Sequence, residues 1–253
     1  MLGAKCGDSF AFRDLSDVER SFKFKYFSVA DDRSTMKVGT DAVLLGAWVR
    51  VDRARRILDV GAGCGVIALM MAQRSEFGAT VDAVEPDSGS AIQASENFEN
   101  SRWPDKVIIH QSSIQEFEST DRYDLIVSNP PFFRKSLLPP TQGRRTARHT
   151  ETLSFGDLLL SVKRLLAENG TFAVVLPLAE GNQFREEAAK HGLVCHRSMA
   201  FYSRKGKQQE RWCMEFSFKG KKTEMEPEVI VLYENGEQWT EEYSEMTREF
   251  YVR

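Results

Sequence analysis

Cysteine is scarce in this chain. The 253 residues hold four, Cys6, Cys64, Cys195 and Cys213, none spaced as CxxC. No disulfide framework or cysteine-based metal site is expected, and a reduced, cytoplasmic setting fits. No apolar run approaches the ~18 residues of a membrane span, and the opening MLGAKCGDSFAFRDLSD lacks the apolar core of a signal peptide. Neither a membrane nor a metal partner is expected. Excess positive charge is also missing: 34 Lys and Arg stand against 37 Asp and Glu, for a net charge of -3. No global basic field advertises nucleic acid, so any such binding must rest on local patches. Of only four histidines, His110, His191 and His196 read as structural, and His149 as a loop residue or substrate contact rather than a base. Internal repeats and low-complexity linkers are absent. What is present, 42% hydrophobic and 28% charged residues, suits a sizeable core in one domain with or without an appendage.

From residue 56 onward, strand-like and helix-like segments alternate. RILDV (56–60), ATVDAVE (79–85), KVIIHQ (106–111), YDLIVS (123–128) and TFAVVLP (171–177) read as strands. Between them, VIALMMAQR (66–74), SGSAIQASENFEN (88–100) and SFGDLLLSVKRLLAENG (154–170) read as helices, the second with Ile92, Ala94 and Phe98 on its apolar pattern. The third presents Phe155, Leu158, Leu159, Val162, Leu165 and Leu166 on one face, with Ser154 and Asp157 as a capping box and Gly170 as its stop. A helix near 180–190 precedes LVCHRSMAFYS and ERWCMEFSF, which are separated only by RKGKQQ and so read as an antiparallel hairpin. The pattern predicts a doubly wound α/β fold: a mostly parallel, seven-stranded sheet with an antiparallel last strand. Residues 1–36 form an N-terminal extension, with FKFKYFSVADDRSTMKV as a candidate hairpin. Residues 37–218 form the main domain, opening with the helix TDAVLLGAWV (40–49), and 219–253 read as a C-terminal appendage.

LDVGAGCG (58–65) joins the first of these strands to the following helix. Glycines there let a ligand approach the backbone, and the helix N-terminus offers free N–H groups. The spacing of Gly61, Gly63 and Gly65 is GxGxG, not the GxGxxG of the dinucleotide fingerprint. Asp59 is placed to order the turn and reach a ligand cation. Glu85, closing the next strand, is placed to accept both hydroxyl protons of a ribose.

At the same edge of the sheet, YDLIV runs into SNPPFF (128–133). Two prolines stop a strand, and they leave Asn129 held at its end. An exocyclic amino group on a base is a poor nucleophile because its lone pair is delocalised. If a methyl sulfonium lies over the glycine turn, the Asn129 side-chain oxygen and the Pro130 carbonyl suit the two amino hydrogens and aim the lone pair. Pro131 fixes the turn, and Phe132 offers a face for the base. Such a site works by orientation and needs no tuned base.

Taken together, DxGxGxG, the acid after the second strand and NPPF after the fourth resemble class I S-adenosylmethionine-dependent methyltransferases, over residues 37–218. With MKVGTDAVLLGAW before the first strand, RRTARHT beyond NPPF and REFYVR at the end, the chain resembles the bacterial valine-tRNA adenine-N6 methyltransferases. That resemblance implies a Rossmann-like fold, S-adenosyl-L-methionine as cofactor, and methylation of adenine N6 in tRNA, at the adenosine 3′ of the anticodon of valine tRNA. It implies cofactor contacts from Asp59, Gly61, Gly63, Gly65 and Glu85. It adds Ser113 and Ile114 beside the adenine, and Thr40 and Asp41 over the methionine part. Where many relatives carry an acid near Ser113, QSSIQEF has none before Glu116. Asn129, Pro130, Pro131 and Phe132 match the catalytic motif.

Two basic clusters fit an RNA partner: Arg144, Arg145 and Arg148 in the segment after NPPF, and Lys205, Lys207 and Arg211 between the last two strand candidates. A monomer is the simplest assembly. The residues alone leave open other planar amino acceptors: guanine N2 in ribosomal RNA, adenine N6 in DNA, or a release-factor glutamine. They also leave open a non-catalytic RNA-binding adaptor.

Overall fold

A computed structural model describes residues 21–131, 153–218 and 226–252. A short hairpin, β1 (Phe22–Lys23) and β2 (Ser28–Val29), comes first and is followed by helix α1 (Thr40–Trp48). The alternating region then runs β3 (Arg56–Val60), α2 (Val66–Arg74), β4 (Thr80–Val84), α3 (Ser88–Glu99), β5 (Val107–His110) and β6 (Tyr123–Ser128). After it come α4 (Phe155–Leu165), β7 (Leu166–Pro177), α5 (Leu178–Lys190), β8 (Val194–Arg204) and β9 (Arg211–Ser217). The chain closes with β10 (Glu228–Asn235), β11 (Gln238–Trp239) and α6 (Glu241–Met246).

The main sheet has the order β11-β10-β8-β9-β7-β6-β3-β4-β5. Its central strands are continuous apolar runs because both faces are covered. On one side Ile57, Val81, Val127 and Ala173 pack under α1, α2 and α3; on the other Leu58, Ile126, Phe172 and Val174 pack under α4 and α5. The chain winds outward from β3 through β4 to β5, returns beside β3 as β6, and continues the opposite way. The carboxyl ends of β3 and β6 therefore flank the topological switch point, where open α/β sheets take ligands.

The doubly wound, mostly parallel sheet stands as expected, and β9 runs antiparallel between β7 and β8. The number of strands differs. The sheet has nine, because β10 pairs parallel with β8 and β11 pairs antiparallel with β10. The segment read as an appendage thus includes a sheet edge. Its VIVLY alternates, with Ile230 and Leu232 buried and Val229 exposed, and its main chain satisfies the edge that β8 would otherwise leave open. Trp48 Nε1, at the end of α1, donates to Glu228 Oε2 at 3.0 Å, and Arg197 lies over the Trp48 ring while bonding both Glu228 and Glu215. The tail strand therefore helps hold α1.

Three local readings also changed. Ile92 is exposed while Ala94 and Phe98 are buried, because two positions on a helix point to opposite sides. Helix α4 has the Ser154 cap, whose Oγ accepts from Asp157 N at 3.1 Å, but it ends at Leu165 rather than Gly170. Residues 166–170 instead begin β7 with a register shift against β6. A Cβ on Gly170 would stand 2.9 Å from the Tyr123 carbonyl oxygen, so this glycine serves close strand approach.

Candidate active site

The turn after β3 is built around left-handed backbone. Gly61, Gly63 and Gly65 have φ of 73°, 55° and 83°, values that L side chains rarely adopt. The N–H groups of Gly61 and Ala62 both donate to the Val84 carbonyl, locking the turn to the end of β4. The three glycines then part company. A Cβ on Gly61 would meet nothing within 4 Å among the described residues, so its face is open to a ligand. A Cβ on Gly63 would stand 3.4 Å from Ser34 Oγ. A Cβ on Gly65 would stand 2.3 Å from the Phe98 ring, so the third glycine lets α2 pack on α3.

Asp59 lies wholly inside. Its Oδ2 accepts from the Ala68 N–H at 3.0 Å, and its Oδ1 has no hydrogen-bond partner among the described residues. Burial pushes its carboxyl up to about 7, with the Ala68 bond opposing and the nearby Glu85 adding to the rise. With 0% exposure, Asp59 orders the turn but offers no surface for direct contact with a ligand cation. Glu85 is buried at the adjacent strand end. Its two oxygens accept from Gly63 N at 2.9 Å and Asp87 N at 3.0 Å. Burial raises its carboxyl above the ordinary range, against these two N–H bonds, which hold it down. Each carboxylate oxygen has a second lone pair, so the pair of oxygens still suits a vicinal diol.

Across the switch point, Ser128 Oγ donates to the Val60 carbonyl at 2.8 Å and ties the end of β6 to that of β3. Asn129 follows at the mouth, with its Oδ1 out of contact with solvent and without a hydrogen-bond partner among the described residues. Pro130 is buried and Pro131 exposed. Phe132, Arg144, Arg145 and Arg148 lie outside the described residues.

A cavity of about 380 Å³ opens beside Asn129, bounded by Thr40 and Asp41 of α1, Phe201 of β8, and Glu210 and Arg211 at the start of β9. Within its wall, Arg211 Nε donates to Asp41 Oδ2 at 2.8 Å. A residue expected at the cofactor and one expected at the RNA are thus an ion pair with each other. Lys205 and Lys207 are exposed in the turn between β8 and β9, whose flanking residues Ser203 and Glu210 line the cavity. Ser113 and Ile114 follow β5. Ser113 Oγ donates to Glu116 Oε2 at 2.9 Å, so the acid missing from the head of QSSIQEF folds back from three residues on. Ile114 is buried, its carbonyl held by Arg164.

Other residues at the site carried no motif. Ser90, Gln93 and Asn97 form a buried polar face on α3 that bonds the backbone of residues 30–35. Their helical spacing was the only available signal, and polar residues at that spacing also describe a solvated face.

The family model described as methyltransferase small domain matches residues 34–180. A protein of Trichodesmium erythraeum named tRNA1(Val) (adenine(37)-N6)-methyltransferase is 43% identical, over 92% of this chain and 98% of its own length. One of the same name from Bacteroides thetaiotaomicron is 41% identical over 91% of this chain and 97% of its own. The chain belongs to this methyltransferase family. Its cofactor is S-adenosyl-L-methionine, and the open face of Gly61 and the Glu85 carboxylate at the switch point fit that group. A solved structure described as a predicted O-methyltransferase from Agrobacterium tumefaciens superposes with a TM-score of 0.63 at 18% identity, covering 83% of this chain and 96% of that one, which supports the fold of the methyltransferase. Among its described residues, no helix is long and apolar enough to cross a membrane.

Proposed function

We propose that this protein methylates N6 of adenine in tRNA, at the adenosine 3′ of the anticodon of valine tRNA, and acts as a cytoplasmic monomer. The relatives named for position 37 of that tRNA, alike over nearly their whole length, support the substrate. The observation that carries the chemistry is Asn129 Oδ1, an acceptor without a partner among the described residues, at the edge of a cavity between α1 and the β8–β9 turn. A buried carbonyl oxygen left unpaired is costly, so a site that holds one is prepared for a donor.

S-adenosyl-L-methionine supplies the electrophilic methyl when bound. Asn129 Oδ1 accepts one hydrogen of the adenine amino group, and the Pro130 carbonyl accepts the other. Their combined pull turns the nitrogen lone pair out of conjugation and toward the methyl carbon. With the cofactor bound, the C–S bond would break as the methyl passes to this nitrogen, and the nitrogen would then give up one proton to solvent. Asp59 and Glu85 stay in place as holders of the turn and the ribose. Phe132 provides the stacking face for a base turned out of its loop. Lys205 and Lys207, in the exposed turn between β8 and β9, hold phosphates, and Arg144, Arg145 and Arg148 serve the same role.

The test offers the wild-type protein labelled cofactor with whole tRNA, ribosomal RNA, duplex DNA and a release-factor peptide, followed by identification of the modified nucleoside. N6-methyladenosine in tRNA is expected. Methyl transfer to the peptide alone, or to guanine alone, would overturn the reading. Asn129→Ala is expected to leave S-adenosylhomocysteine affinity unchanged and cut kcat by about 10²-fold, as for a misoriented nucleophile.

A further inference from the structure

Residues 30–38 cross the glycine turn as an irregular segment, and what holds them is unusual. On α3, Ser90, Gln93 and Asn97 are 0%, 2% and 5% exposed, although a helix packed only for its own sake would bury apolar side chains there. Each bonds the segment's main chain. Thr35 N donates to Ser90 Oγ at 3.2 Å, Arg33 N to Gln93 Oε1 at 3.1 Å, and Ala30 N to Asn97 Oδ1 at 3.0 Å. Asn97 Nδ2 donates in turn to the carbonyls of Ala30 and Cys64, both at 2.8 Å, so one amide joins the segment to the glycine turn itself. Gly89 permits the close approach, since a Cβ there would stand 3.2 Å from the Arg33 carbonyl oxygen.

The network reaches the ribose acid as well. Glu85 Oε1 accepts from Asp87 N, Asp87 Oδ1 accepts from Ser90 Oγ at 2.8 Å, and Ser90 Oγ accepts from Thr35 N. The consequence at the other end is that Ser34, itself buried, faces Gly63 across the space where a Cβ would stand 3.4 Å from its Oγ. Asp31 shapes the segment locally, its carbonyl accepting from Ser34 N at 3.2 Å and its Oδ2 from Val38 N at 2.9 Å, while the α3 side chains satisfy the main chain at residues 30, 33 and 35 and so fix where the segment lies over the turn.

We propose that Ser90, Gln93 and Asn97 are positioning residues for the cofactor: they hold residues 30–38 as a wall over the glycine turn, with Ser34 facing the ligand. This rests on S-adenosylmethionine as cofactor and is independent of which acceptor the enzyme uses.

The test uses the full chain and S-adenosylhomocysteine, with calorimetry, hydrogen exchange of residues 30–38 and melting of the ligand-free protein. Wild type is expected to bind, with slower exchange at Ala30, Arg33 and Thr35 on binding. Gln93→Ala, which removes one bond, is expected to weaken binding about tenfold, as loss of a buried bond does. It should also lose that exchange protection while melting close to wild type, with the cost falling on KM for the cofactor rather than on kcat. Asn97→Ala should weaken binding further. Should Asn97→Ala fail to fold, Gln93→Ala and Ser34→Ala decide. Unchanged affinity in folded Gln93→Ala and Ser34→Ala overturns the proposal. Failure of wild type itself to bind overturns the cofactor assignment, and the wall with it.

Discussion

The three glycines of DVGAGCG are expected to fail in different ways when each gains a methyl group. Gly65→Ala combines two penalties. A left-handed alanine costs about 1–2 kcal/mol, and here φ is 83°. Its Cβ would also lie 2.3 Å from the Phe98 ring, itself buried and packed, so the core must shift; overpacking of this kind costs about 1–3 kcal/mol. The sum, about 2–5 kcal/mol, corresponds to a fall in melting temperature of roughly 4–20 °C for a chain of this size. The protein that remains folded should bind S-adenosylhomocysteine almost as wild type. Gly61→Ala pays only the backbone cost, about 1–2 kcal/mol, because nothing stands within 4 Å of its Cβ. That empty space belongs to the ligand, so its binding should weaken tenfold or more. Gly63→Val should abolish binding, since a branched side chain would crowd Ser34 and the ligand's place. Melting curves with and without S-adenosylhomocysteine, and calorimetry on the folded fraction, separate the cases. A Gly65→Ala protein as stable as wild type, or a Gly61→Ala protein with unchanged affinity, would refute the division of labour.

Asp59 makes the ligand-free protein less stable as pH rises. Its carboxyl is lifted from 3.8 to about 7 on folding, so the folded state binds the extra proton between these values, and that contribution is lost by the time pH passes 7. Asp59→Asn should flatten this part of the profile of urea midpoint against pH; parallel profiles would refute it. Removing residues 219–253 should prevent folding, because Ile230, Leu232, Tyr243 and Phe250 leave the core, a loss of roughly 6–12 kcal/mol at 1.5–3 kcal/mol per side chain. A soluble, cooperatively melting truncation would return the tail to the status of an appendage. Lys205→Ala and Lys207→Ala should each lower the salt slope of tRNA binding by about 1. Arg211→Ala should leave that slope unchanged and impair turnover, since its guanidinium is paired with Asp41; a drop in slope would make it a phosphate contact after all.

Elements whose signal lies within a short window were legible. The strand RILDV and helix VIALMMAQR fall where apolar runs and the glycine turn put them, at Arg56–Val60 and Val66–Arg74. The Ser154 cap was readable because its partner is three residues away. The strand at Glu228–Asn235 was not, because a lone alternating run says nothing about which strand it will join; its parallel partner, β8, begins at Val194. Ile92 was misread because an apolar residue inside a helix is assigned to the core by default, although exposed apolar residues are common.

The site divides along the same line. Gly61, Glu85 and Asn129 announce themselves because each ends a strand at the switch point, and chemistry at strand ends follows from topology. Contacts that join distant segments leave no such mark. Asp41 and Arg211 were assigned to different ligands, and only folding shows that their charges meet at 2.8 Å. Ser90, Gln93 and Asn97 look in sequence like the wet side of a surface helix, because polarity alone cannot tell a side chain bonded to water from one bonded to a buried main chain. The distinction matters for reading glycine motifs too. Gly65 belongs to the same pattern as Gly61, yet its empty Cβ position is filled by Phe98 while that of Gly61 is open. A motif records where side chains are forbidden. Whether a ligand or a neighbouring helix forbids them depends on what the rest of the chain brings to that point.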